Sequence, residues 1–323
     1  MKMQQRHGFA LAAGLVAAAV FIALRPTPGQ KEAVPPPGRH RTENASARTQ
    51  AHRQGNAAPA ADVRPVLASA LATDSPLATE KRADLLRRFA ASPSPAEADL
   101  LLEFLASRCP PKMPLGSFAL LFNEAANLLE RQQDDALLSP YGKVLATVAR
   151  DTGKPEILRD YAIQHLRVVW AKSAGIPPLR ASVEDTFWSM SSGSGHPAAA
   201  SLLSLHLLGT PDFPPDPATP YAIATARITA RTLELLGDPS APSGTRMTAA
   251  RIAGERGIRQ ARDPLLALAR NPGQPVAARL AAVAAFARLA TASDLPALRS
   301  LGASSPELHA AVTSASARIT AGK

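Results

Sequence analysis

"ARLAAVAAFARLATASDLPALRSL", residues 278–301, holds nine alanines among its twenty-four residues and almost nothing that could carry out chemistry. Alanine is the strongest intrinsic helix former. Leu280, Val283 and Phe286 fall at helical spacing, Asp294 opens a turn, and Leu295, Leu298 and Leu301 resume the pattern. The stretch therefore reads as a helix, a turn and a second helix. Each helix carries an apolar stripe that it cannot bury alone, so neighbouring units must stack.

The surrounding sequence supplies such neighbours. Arg246-Met-Thr-Ala249 and Arg279-Leu-Ala-Ala282 lie 33 residues apart, and Leu265 and Leu268 recur at the same spacing as Leu298 and Leu301. Asp263 and Pro275 return 31 residues later as Asp294 and Pro306, and Arg159-Asp-Tyr-Ala162 is an earlier echo. A period near thirty with paired helices is the mark of an α-solenoid. These segments resemble HEAT repeats, including the short bacterial form shared with phycobilisome lyase-like proteins. The match is good over residues 243–320, thinner over 150–240, and replaced by plain helix periodicity over 63–149. The resemblance implies an all-α fold in which an Arg followed by a small residue opens a repeat helix. A structural role for that Arg, capping or pairing, is the commoner outcome.

Helix starts are legible before the repeat. "SPAEADLLLEFLAS" opens with Ser94-Pro95 and an acidic first turn, and "KPEILRDYAIQHLRVVWAK" opens with Pro155-Glu156. Gly209 and Gly237 stand where helix C-caps are expected. Five prolines over residues 209–220 demand an irregular loop, either a boundary between two helical halves or a surface excursion.

The N-terminus differs in kind. Lys2 and Arg6 precede an uncharged run from Gly8 to Leu24 that Arg25-Pro26 ends. That length is short for a bilayer span but longer than an ordinary signal core, so residues 1–24 are expected to be a cytoplasmic head and uncleaved signal anchor. Residues 25–62, rich in Pro, Ala and Arg, read as a disordered tether. Residues 63–242 form a divergent helical region and 243–323 the HEAT-like repeats. This organisation places the body outside the cytoplasm, periplasmic on an inner membrane, or secreted if the signal is cleaved.

The formal charge of +10 is unevenly spread. Residues 1–60 carry eight Lys/Arg against two acids, 61–242 seventeen against twenty, and 243–323 eleven against four. A polyanion-binding module using Arg246, Arg251, Arg256, Arg259, Arg262 and Arg270 is one reading of the C-terminal excess. Nucleic acid is disfavoured because no aromatic residues interleave with those arginines.

Signals for catalysis are sparse. Cys109 is the only cysteine, expected to be buried or inert. The seven histidines show no paired metal-ligand spacing. His196 sits in a Ser/Gly-rich loop that is not a nucleophile elbow. His165 and His206 fall within helix patterns, where a packed or surface histidine is the commoner outcome. Trp170 and Trp188 fit core packing better than a binding platform. No cofactor, metal or small-molecule substrate is indicated. The expected function is a membrane-tethered, non-enzymatic scaffold or adaptor for a protein partner. Arg246, Arg251, Arg279, Trp188 and His196 are the candidate partner contacts, and an enzyme on a HEAT scaffold is the alternative.

Overall fold

The computed structural model describes residues 64–72, 74–89, 93–132, 135–210 and 225–321. The anchor and tether expected over residues 1–62, and most of the proline-rich loop, lie outside them. The described residues fall within one compact unit, Ala60–Lys323.

Among the described residues all regular structure is helical, in seven successive pairs. α1 (Arg64–Leu71) pairs with α2 (Thr79–Arg88), α3 (Pro95–Ala106) with α4 (Leu115–Glu130), and α5 (Asp135–Arg150) with α6 (Glu156–Lys172). α7 (Pro177–Ser191) pairs with α8 (His196–Leu208), α9 (Thr225–Gly237) with α10 (Ser243–Glu255), α11 (Arg262–Arg270) with α12 (Val276–Leu289), and α13 (Leu295–Ser304) with α14 (His309–Thr320). The second helices, α2 through α14, pack side by side without a break. The first helices form another layer that is close from α3 to α7 and then fans out, with α7 and α9 meeting through the Arg227 and Arg231 side chains of α9. A two-layer stack whose outer members splay curves with the tighter layer inside, the arrangement of an α-solenoid. The second layer also runs on from α8 to α10 across the proline-rich loop.

Local sequence explains the starts. Ser94 Oγ accepts from the Glu97 amide while the Glu97 carboxylate accepts from the Ser94 amide at 2.7 Å, a complete capping box with Pro95 behind it. Prolines 114, 155, 242 and 275 occupy the position before α4, α6, α10 and α12, where a missing N–H costs nothing. Gly209 follows α8 as its cap, whereas Gly237 is the last residue of α9. The left-handed residue among those described is Gly257, with φ of 67°.

The recurring arginine is a structural strut. In α2, α6, α7, α10 and α12 it is the fourth helical residue, and its Nε donates to a carbonyl at the C-terminal end of the preceding helix. Arg82 reaches Ala70 O at 2.7 Å, Arg159 reaches Ala149 O at 3.0 Å and Arg180 reaches Trp170 O at 3.2 Å. Arg246 reaches Leu236 O at 3.3 Å and Arg279 reaches Ala269 O at 2.8 Å. Terminal carbonyls have no partner within their own helix, and a guanidinium there also meets the negative end of the helix dipole. In α4 the fourth residue is instead Phe118, fully buried, with its ring 5.1 Å from that of Phe104 in α3. The carbonyls of Ala106 and Ser107 then receive Lys154 Nζ from the turn before α6.

Candidate interaction surface

Each central second-layer helix has the first layer behind it and a second-layer neighbour on either side. One face remains for solvent. On α8 that face is His196, Ala200, Leu203 and Leu207, and on α12 it is Ala277, Ala281, Ala284 and Arg288, in both cases at helical spacing. Thr248 and Arg251 occupy the same face of α10 between them. Alanines supply most of it on α12, and α10 and α12 approach so closely at Gly254 that a Cβ there would lie 3.0 Å from Ala285 Cα.

That approach builds a charged corner at the C-terminal ends of α8, α10 and α12. Glu255 Oε1 accepts from Arg251 Nε at 2.8 Å, and Arg288 Nη1 lies 3.8 Å from the same oxygen. Glu255 Oε2 lies 2.8 Å from His206 Nε2, while Arg256 Nε donates to His206 Nδ1 at 2.9 Å. A guanidinium N–H can meet only a ring nitrogen that carries its lone pair. Buried His206 therefore accepts from Arg256 at Nδ1 and donates from Nε2 to Glu255. Burial alone would raise the pKa of Glu255, but hydrogen bonds from His206 and Arg251 and the charge of Arg251 outweigh it and hold the carboxyl below its usual range.

The five residues singled out in the sequence are thus dispersed. Arg246 and Arg279 are buried and directed inward, Arg279 also binding Ser305 Oγ at 2.7 Å and the Glu307 carboxylate. Arg251 is half-exposed on the second-layer face. His196 is exposed at the start of α8, near buried Asp160 of α6 and Gly244 of α10. Asp160 is pushed up to about 6, first by burial and then by Glu156, against the opposing charges of His196 and Arg159, and its Oδ1 has no hydrogen-bond partner. Trp188 belongs to the other layer, buried in α7, where Arg227 of α9 stacks on its ring at 4.0 Å and its Nε1 donates to Glu184. With Ser191, Arg231 and Glu234 it borders a cleft of about 260 Å³ where α7 and α9 part, below the roughly 300–1,000 Å³ usual for a small-molecule pocket.

Much of the C-terminal arginine run is likewise engaged inside the fold, with Arg262 on Asp294 and Arg256 on His206, whereas Arg259 and Arg270 are exposed. Cys109 is half-buried, and burial raises its thiol pKa. His165 is buried between Glu130 at 2.6 Å and Asn123 at 3.3 Å. Among the described residues no group of three or more His, Cys, Asp and Glu is placed to hold a metal ion. No helix among them is long and apolar enough to cross a membrane, and the run at residues 8–24 lies outside them. The sequence missed the Glu255 corner because His206 and Glu255 are 49 positions apart and meet only through stacking.

No protein-family model and no curated protein matches the chain. A solved structure of human deoxyhypusine hydroxylase in complex with glycerol is similar at 20% identity, covering 80% of this chain and 96% of that one. The TM-score is 0.32, too low to bear on either fold or function.

Proposed function

We propose that this chain is a HEAT-like scaffold that holds a protein partner along the solvent face of its second layer. The observation that carries the reading is the contrast between the two kinds of side chain. The recurring Arg residues of the repeats are turned inward onto helix ends, and the outward row on α8, α10 and α12 is continuous, with apolar side chains beside Arg251 and Arg288. Extended inner surfaces of this kind are what stacked helical repeats offer to partners. Arg251 and His196 lie on that face, and Trp188 with Arg227 forms a separate aromatic and cationic spot on the opposite layer.

The sequence of residues 1–62 supports a finer proposal. The run from Gly8 to Leu24 anchors the chain in the inner membrane, and residues 25–62 tether the body outside the cytoplasm. Protease protection in spheroplasts tests the address: a body cleaved only after lysis contradicts it. In-cell photo-crosslinking from Ala200, Ala281 and Ala284 tests the scaffold, with exposed Ala267 on α11 as the control. Discrete partner adducts from the first three positions alone are expected, and their absence at all three refutes the reading.

A further inference from the structure

We infer that the partner segment held on this face is acidic, and that its carboxylates dock on the Arg251–Arg288 corner. The inference rests on the scaffold reading and adds the chemistry of what is held.

The charge count at the corner is unbalanced. Arg251 and Arg288 converge on a single carboxylate, Glu255, and Arg256 adds a third positive charge behind it through His206. Arg251 and Arg288 approach the same oxygen of Glu255, so their guanidinium groups are close enough to share one further acidic group. Each meets Glu255 through one nitrogen and is about two-fifths exposed. Their remaining N–H donors suit bidentate binding of a carboxylate. His206 and Arg256 hold Glu255 from behind, which fixes the corner in place. Gly254 sets the distance, since a side chain there would push α12 and Arg288 away.

The adjoining surface decides between anions. Leu203, Leu207, Ala281 and Ala284 extend the face along α8 and α12 with apolar side chains. A peptide with leucine on one side and glutamate on the other satisfies both parts, as in helix-in-groove recognition. A nucleic acid would find positive charge but no aromatic ring on which to stack its bases.

The test uses the full-length protein and three fluorescein-labelled probes at physiological ionic strength, read by anisotropy. The first is a helical peptide of about three turns with leucine on one face and glutamate on the other. The second is its glutamine counterpart, and the third is a single-stranded oligothymidylate of equal charge. The glutamate peptide is expected to bind and the glutamine peptide to bind at least about tenfold more weakly. The double variant R251Q/R288Q should weaken the glutamate peptide by about tenfold or more, while E255Q, which removes the competing carboxylate, should tighten it severalfold. Unchanged circular dichroism shows that the variants remain folded.

Equal binding of both peptides, no binding of the glutamate peptide, or indifference to R251Q/R288Q overturns the inference. Equal binding of the oligothymidylate with the same arginine dependence also overturns it, in favour of a general polyanion surface. If adducts still form from Ala281 and Ala284 in R251Q/R288Q, the scaffold stands and only the acidic chemistry falls. Loss of all adducts in the unaltered protein removes the scaffold itself.

Discussion

Replacing Arg279 by Met tests whether the recurring arginine is a strut. The side chain is buried, and three of its nitrogens are used: on Ala269 O at 2.8 Å, on Ser305 Oγ at 2.7 Å, and on the Glu307 carboxylate. Methionine fills much of the volume but restores none of these bonds. The Ala269 carbonyl is then left at the buried end of α11, a penalty of about 1–3 kcal/mol. The exposed Glu307 carboxylate returns to water, so the Ala269 carbonyl carries the expected loss. Arg251→Met provides the contrast, because its bond to Glu255 is a half-exposed contact of adjacent helical turns, worth about 0.3–0.5 kcal/mol. Stacked repeats need not unfold in one step, so hydrogen exchange resolved along the chain is the better assay, with urea denaturation for the total. Protection should fall at the end of α11 and across α13 and α14 in Arg279→Met, with α3 to α6 little changed. A loss no larger than that of Arg251→Met refutes the strut.

Three further substitutions probe other parts of the stack. Asp160 is harder to ionise in the fold than in the unfolded chain, so its cost is present in full above about pH 6 and vanishes as pH falls toward about 4. Asp160→Asn should therefore stabilise by about 1–2 kcal/mol at pH 8, with the gain shrinking on acidification; a gain that grows below pH 5 contradicts the assignment. Phe118→Ala removes the buried ring that stands where other repeats have arginine and should cost about 3–5 kcal/mol in denaturant melts. Gly254→Val forces α10 from α12 and should cost about 1–3 kcal/mol, with weaker binding of the glutamate peptide as a second readout.

The parts of this fold written in local chemistry were legible in the sequence. Ser94 with Glu97 gave a helix start that the capping box reproduces, and all four repeat leucines, Leu265, Leu268, Leu298 and Leu301, are buried as their spacing requires. Arg159, Arg246 and Arg279 were recognisable because alanine follows each by three positions, as Ala162, Ala249 and Ala282. Arg82 does the same work with Leu85 in place of that alanine, and α4 replaces the arginine with Phe118, so the first two pairs carry no common signature despite the same pairing. Lys154 shows why motif searches fail there: it serves the same kind of carbonyl from another place in the chain. The C-terminal positive charge invited a search for an external polyanion. Stacking engages Arg246, Arg262 and Arg279 within the fold and gathers Arg251, Arg256 and Arg288 around one acid.

The unequal closeness of the two layers has a mechanical consequence. A beam braced closely along one side and loosely along the other bends where the bracing is loosest, and in the first layer those places lie between α7 and α9 and between α11 and α13. Flexing between α7 and α9 uses the second-layer contacts of α8 with α10 as the pivot and works against Arg231, which reaches from α9 to the Ser191 carbonyl at the end of α7, while Arg180 and Arg246 each bridge helices on one side of the gap. The low-cost deformation of this molecule is thus a change of curvature, and an elongated partner seated along the inner side would feel it as a change in grip.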